Sequence, residues 1–163
     1  MSDWKKIRVE PFLDGAGLRV VLHDPKGNVL DGQMMGEINA LLESLDSQKQ
    51  LRVICFVGAG DHFSFGASVA EHVGAAAGPM LQGFHGMFRR LIKLAVPTVA
   101  AVRGRCLGGG MELACFCNRV VAHPGAVFGQ PEIQLGVIAP LASVILPLRG
   151  GQRVADEVLL TGR

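Results

Sequence analysis

Apolar residues along this chain fall into short β-branched runs that alternate with longer stretches of helical spacing. Ile7 to Phe12 and Leu18 to Leu22 flank the turn Asp14-Gly15-Ala16-Gly17, which predicts two strands. Asp31 is placed to cap a helix from Gly32 to Ser44, whose apolar stripe is Met35, Ile38, Leu41, Leu42 and Leu45. Residues 52–57, apolar throughout after Arg52, predict a third strand buried on both faces. A glycine- and serine-bearing loop over 58–68 follows, and then the small-residue segment Val69 to Gly78, which reads as a mobile loop or a weak helix. Pro79 suits a first helical turn, so Met80 to Lys93 predicts a helix closed before Pro97.

Thr98 to Val102 predicts a buried strand feeding a glycine turn, Gly108-Gly109-Gly110, at which the apolar helix Met111 to Cys117 begins. Short strands are expected at Arg119 to Ala122 and Val127 to Gly129, around the turn His123-Pro-Gly125. Helices are expected at Ala139 to Leu148, beginning near Pro140, and at Gln152 to Leu160. Strands alternating with helices define an α/β class, and no sequence repeat of 20 to 50 residues is apparent. At 163 residues the chain is read as one domain, 1–163.

Composition narrows the partners. A net charge of +2, with no Lys/Arg stripe interleaved with aromatics, argues against nucleic acid. The polar start from Ser2 to Lys6 has no apolar core behind it, so no secretory signal is expected. The longest apolar region, Leu135 to Leu148, is interrupted by Pro140 and Pro147 and is too short to span a membrane. The four cysteines Cys55, Cys106, Cys115 and Cys117 show neither a paired framework nor zinc spacing. A reducing, cytoplasmic setting without a bound metal is therefore expected.

The candidate chemistry centres on the glycine turn. Helix N-termini expose N–H groups without intrahelical partners and carry the positive end of the macrodipole, so they stabilise anions. Gly108 to Gly110 would let a ligand reach that backbone, and Glu112 follows within the first turn. Such an arrangement fits oxyanion or enolate chemistry, although the same glycines also serve tight packing and the same acid also serves the dipole. The G-x-G of Gly58-Ala-Gly60 is not a dinucleotide fingerprint, because Phe63 stands where its third glycine belongs. Ser64 and Ser68 read as turn residues, since no G-x-S-x-G elbow or partnered histidine supports a nucleophile, and His62, His85 and His123 read as surface or turn residues.

Three segments together resemble the enoyl-CoA hydratase/isomerase, or crotonase, family. Phe63-Ser-Phe-Gly-Ala-Ser68 is similar to its F-S-x-G-x-D loop, and Gly104-Arg-Cys-Leu-Gly-Gly-Gly-Met-Glu-Leu-Ala114 to its G-x-x-x-G-G-G-x-E-L turn and helix. Phe128-Gly-Gln-Pro-Glu132 is similar to its F-G-x-P-E segment. The resemblance implies a spiral of repeated ββα units that binds an acyl-CoA thioester, with Ala67 and Gly109 N–H groups as the oxyanion hole. Glu112 and Glu132 would hold a water between them, and Lys26, Phe65, Gly66, Ala67 and Gly108 would contact the CoA thioester. No separate cofactor or metal is implied, coenzyme A being part of the substrate.

Two acids favour hydration of a conjugated acyl-CoA. A double-bond isomerase or thioester hydrolase of the same family, or a CoA-binding or oligomerisation module without turnover, are the alternatives. Ser68 departs from the usual Asp, and Ala139-Pro-Leu-Ala-Ser143 from a glycine-rich stretch. Those departures look like the branch that hydrates cyclic dienoyl-CoA thioesters. Family chains carry further helices after the part equivalent to Thr161-Gly-Arg163, and assemble as trimers or hexamers, so this chain is expected to lack the C-terminal helical part and to self-associate.

Overall fold

A computed structural model describes residues 4–72 and 74–163. The first residues of the polar start, and Val73 within the small-residue segment, lie outside the described residues. The chain begins with strands β1 (Ile7–Phe12) and β2 (Gly17–Leu22) and helix α1 (Gly32–Ser44), followed by β3 (Val53–Gly58). Two 3₁₀ turns, Val69–His72 and Gly74–Ala76, lead into α2 (Ala77–Leu94). Next come β4 (Thr98–Val102), β5 (Arg105–Leu107), α3 (Gly109–Phe116), β6 (Arg119–Ala122) and β7 (Val127–Gly129). A 3₁₀ turn at Pro131–Leu135, α4 (Ala142–Gly150) and α5 (Gln152–Thr161) complete it.

The large sheet runs β1-β2-β3-β4-β6, with β1 antiparallel to β2 and every other pairing parallel. A second, shorter layer pairs β5 with β7 and is joined by single bridges between Leu30 and Ala67 and between Ser64 and Cys106. Each turn of chain thus places a strand in the large sheet, then a short extended piece in the second layer, then a helix. Those large-sheet strands start at residues 17, 53, 98 and 119. The unequal spacing explains why a repeat that is present in three dimensions leaves no sequence period.

The core lies between the large sheet and the helices. Ile54 and Phe56 on β3, Met34, Ile38 and Leu42 on α1, and Met87 on α2 are fully buried in one cluster. Asp31 caps α1 as expected, its carboxylate accepting the Met34 N–H at 2.9 Å, an interaction worth about 1 kcal/mol. Asp31 also pairs at 2.9 Å with Lys6, the residue just before β1.

Several sequence expectations need correction. β3 alternates buried and half-buried residues instead of being buried on both faces, because only one of its faces meets the helical core. The predicted loop or weak helix over 69–78 is two 3₁₀ turns, and α2 already begins at Ala77. A further strand, β5, stands between β4 and the glycine turn, reached through Gly104 at a φ of 55°. The helix expected from Pro140 starts at Ala142 and runs on to Gly150 with Pro147 inside it. Pro147 costs that helix a backbone donor, and its own carbonyl accepts the Gly151 N–H at 3.0 Å. The four cysteines are free, with Cys106 and Cys117 packed in the core as small apolar groups. Among the described residues no helix is long and apolar enough to cross a membrane.

Asn28 joins the first two turns of the spiral. It is 2% exposed and sits at a φ of 55°. Its amide nitrogen donates to the carbonyls of Ala59, His62 and Phe63 at 2.9, 3.0 and 3.2 Å, while its oxygen accepts the Asp24 N–H at 3.0 Å. Asn28→Ala strands these buried backbone groups and forces a Cβ residue without a compensating hydrogen bond into the left-handed region. We expect a loss of about 2–4 kcal/mol in urea unfolding. Asn28→Gly should lose about 1 kcal/mol less, because glycine relieves the backbone strain; equal losses would show that the left-handed conformation carries no cost.

Candidate active site

The site forms where the second-layer pieces of consecutive turns meet. The loop from Ser64 to Ser68 lies against the turn from Leu107 to Gly110, and only glycine allows the approach. A Cβ on Gly66 would lie 2.8 Å from the Leu107 carbonyl oxygen and 3.3 Å from the Gly109 nitrogen. On Gly110 it would lie 2.6 Å from the Ser64 Cβ, and on Gly109 it would lie 3.2 Å from the Ala67 nitrogen. The Ala67 and Gly109 backbone nitrogens are therefore near neighbours, as the sequence predicts for an oxyanion hole. Neither N–H donates to a protein acceptor among the described residues. Gly109 opens α3, so the positive end of that helix adds to its pull on an anion.

Ser64 holds this loop. Fully buried, its hydroxyl donates to the Asn28 carbonyl at 2.7 Å and accepts the Gly66 N–H at 3.1 Å, so the turn-residue reading is correct. The Phe65 N–H donates to the Gly27 carbonyl at 2.9 Å, which brings the turn bearing exposed Lys26 against the loop. His62 and His123 are turn residues too: their Nδ1 atoms accept the N–H groups of Arg105 and Gly125.

A cleft of about 230 Å³ opens in front of Ala67. It is lined by Phe65, Gly66, Ala67, Val69 and His72 from the segment after β3, by Gly108, and by Pro131, Glu132, Leu135 and Val137 from the segment after β7. Gly108 has a φ of 51°, and a Cβ there would lie 2.5 Å from Glu132 Oε1, so the first glycine of the triplet makes room for the acid. Of the predicted site residues, Glu132, Phe65, Gly66, Ala67 and Gly108 line this cleft, whereas Gly109, Glu112 and Lys26 do not.

Glu112 is 4% exposed, and its Oε1 accepts the Ala142 N–H at 2.8 Å. The sequence reading of this acid as a partner of its own helix dipole thus misses a second tie, since it caps the N-terminus of α4 as well. Burial raises its pKa to about 7, the Ala142 N–H opposes that rise, and the charge of Glu132 adds to it. Burial also raises Glu132, opposed by a backbone N–H and by the positive charge of His72. Gln130, 1% exposed, lies against this acid; with its amide nitrogen turned to the carboxylate it donates to Oε2 at 2.8 Å and to Oε1 at 3.2 Å.

Gln130 and His72 are the site residues that sequence reasoning passed over. Gln130 stands inside the quoted F-G-x-P-E segment two residues before the acid, a position that could have marked it. His72 stands in a segment with no periodicity, and only its one-turn spacing from Ser68 hints at its place. Among the described residues no three His, Cys, Asp or Glu side chains gather to hold a metal ion.

The raised Glu112 pKa makes a stability prediction. Between an unfolded value near 4.5 and a folded value of about 7, the native state holds a proton that the unfolded state has lost. Stability therefore falls as pH rises through that window, by on the order of 3 kcal/mol. Glu112→Gln keeps an acceptor for the Ala142 N–H without the charge. Its urea midpoint should exceed that of the parent at pH 8 and match it near pH 4; a variant less stable at pH 8 contradicts the assignment.

Residues 15–163 match the enoyl-CoA hydratase/isomerase family. The chain is 45% identical over 150 residues to a cyclohexa-1,5-dienecarbonyl-CoA hydratase of Thauera aromatica, an alignment covering 92% of this chain and 58% of that protein. It is 35% identical over 147 residues to a probable enoyl-CoA hydratase of Mycobacterium tuberculosis, covering 88% and 57%. Among solved structures, an enoyl-CoA hydratase subunit from Geobacillus kaustophilus superposes with a TM-score of 0.87 at 35% identity, over 99% of this chain and 63% of that one. The chain thus spans under two thirds of the length of these relatives. With the three motifs, the spiral of strands and helices and the paired backbone donors all in agreement, this chain belongs to the enoyl-CoA hydratase/isomerase family.

Proposed function

We propose that this protein hydrates a conjugated double bond in an acyl-CoA thioester. The observation that carries the reading is the adjacency of the Ala67 and Gly109 nitrogens beside a cleft that holds Glu132. The thioester oxygen would accept from both N–H groups, which count for most when the thioester becomes an enolate. Of the two acids, one takes the proton from the attacking water while a proton is delivered to carbon. A carboxyl that titrates near 7, as Glu112 does, is suited to exchanging protons at neutral pH. Coenzyme A enters as part of the substrate, with Lys26, Phe65, Gly66 and Gly108 along its path, and no resident cofactor or metal is invoked.

Within this class a dienoyl thioester is the favoured substrate. The relative that is 45% identical carries that activity in its name, and the cleft walls are apolar enough for a carbocycle, with Phe65, Val69, Leu135 and Val137 around the acid. A cytoplasmic setting and assembly into trimers or hexamers complete the proposal. Support for assembly comes from Ile138, Leu148 and Leu160, which are 77%, 80% and 71% exposed, and from an apolar groove of about 630 Å³ that Leu91, Ile92, Phe116, Ile145 and Leu148 help to line.

Incubation with a panel of enoyl- and dienoyl-CoA thioesters in labelled water tests the reaction. Glu112→Gln and Glu132→Gln should each lower hydration by about a hundredfold or more, with acyl-CoA affinity changed far less. A variant that keeps full rate removes its acid from the mechanism, and thioester binding without product in the parent chain favours a non-catalytic module. Light scattering should find self-associated chains, in multiples of three; a clean monomer that binds no apolar dye contradicts the assembly.

A further inference from the structure

His72 has no part in the two-acid scheme, yet it lines the cleft that holds Glu132. It belongs to the 3₁₀ turn that follows the oxyanion loop, whereas Glu132 belongs to the 3₁₀ turn after β7. Its Nδ1 lies 2.7 Å from the Ser68 carbonyl oxygen. A carbonyl only accepts, so Nδ1 carries hydrogen, and Nε2 is the ring atom left to gain or release a proton. His72 and Glu132 line the same small cleft, and the positive charge of His72 opposes the rise of the Glu132 carboxyl. Every other residue around the cleft is apolar or offers only backbone polar groups.

A simple enoyl thioester does not require such a group. Hydroxide adds at the carbon β to the carbonyl, the enolate takes a proton at the α carbon, and two carboxyl groups can manage both transfers. A ring diene with the second double bond attached at the α carbon behaves differently. Hydroxide addition then gives a dienolate, whose negative charge is shared between the oxygen, the α carbon and the far end of the second double bond. Where the proton lands depends on where an acid is held.

We propose that His72 is a third proton-handling group of this site, beside the two acids, and that it protonates the far carbon of a dienoyl thioester. The inference rests on the dienoyl-CoA hydratase reading given above. The step balances: a carboxylate takes one proton from water, the hydroxide forms the new C–O bond, and the Nε2 proton forms the new C–H bond as the second double bond shifts. Proton return from the carboxylic acid to the imidazole, directly or through solvent, resets the site. Ser68 takes part only through its carbonyl, which fixes the ring's tautomer and angle.

Two measurements test the proposal on this chain. With ¹⁵N-labelled histidine, benzoyl-CoA, whose planar ring cannot be hydrated in this way, should shift the His72 ring nitrogens, identified by their loss in His72→Gln. Acetyl-CoA, which lacks the ring, should not. In turnover, His72→Gln should lower the ratio of kcat/KM for the cyclohexadienoyl thioester over crotonyl-CoA by about a hundredfold, the usual yield of a positioned general acid. In D₂O, the variant's product should also lose deuterium at the far carbon relative to the α carbon. Benzoyl-CoA binding that leaves the His72 nitrogens unmoved overturns the proposal. So does an equal loss on both substrates, or deuterium placement unchanged from the parent, since a residue that merely braces the Ser68 loop would act in that way. Failure of the parent chain to hydrate any thioester refutes the hydratase reading itself, a result that does not involve the His72 variant.

Discussion

The close approach of two backbone segments, Ser64 to Ser68 and Leu107 to Gly110, is the constraint on which the site depends. Two peptide units can present neighbouring N–H groups to one oxygen only if no side chain separates them. Gly66, Gly109 and Gly110 each remove a Cβ that would lie 2.6 to 3.3 Å from an atom of the facing segment. The spiral topology makes the meeting possible, since each turn adds its short extended piece beside that of the turn before. Hydrogen bonds then hold it, through Ser64 to Asn28 and from Asn28 to three further carbonyls. The stability of the fold and the geometry of the donors therefore share the same contacts.

That sharing limits how the chemistry can be arranged. Backbone donors are rigid and need no reorganisation when charge develops, but they leave no room for a side chain at the same place. The acids are accordingly supplied from beyond the glycines, Glu112 from the first turn of α3 and Glu132 from the 3₁₀ turn after β7. Gly108 illustrates the fit: its missing side chain is where the Glu132 carboxylate lies. One glycine triplet thus serves three tasks, which are room for Glu132, the close approach of the Gly109 and Ala67 backbones, and contact with Ser64.

Much of the fold was legible in the sequence because the elements it rests on obey local rules. β1, β4, β6 and β7 and helix α1 fall where the apolar periodicity and the Asp31 cap put them. What escaped was set by tertiary contact. β5 is three residues long and exists because β7 lies beside it, and the start of α4 at Ala142 is fixed by a carboxylate thirty residues earlier in the chain. At the site, residues within dense motifs were readable: Ala67, Gly108, Gly109 and Glu132 are brought together as expected. Gln130 and His72 were missed because their significance lies in tertiary placement, Gln130 against the Glu132 carboxylate and His72 in the cleft that holds that acid. Lys26 stands beside the loop through its neighbour Gly27, whose carbonyl accepts the Phe65 N–H, and does not line the cleft.

Glu112 shows how far a distant element can tune a single acid. Burial pushes its carboxyl above the ordinary range, because the ionised form loses water. The Ala142 N–H returns part of that solvation, and it is one of the unpaired donors at the N-terminus of α4, where the helix dipole also favours negative charge. A titration near neutrality is thus the balance between enclosure by the core and the docking of α4. Moving α4 away would admit water and remove the N–H together, two changes of opposite sign on the acid. The residues that seat α4, Ile145 and Leu146 in the core and Arg149 on the Phe116 and Cys117 carbonyls, therefore hold both the enclosure and the N–H donor of Glu112 in place.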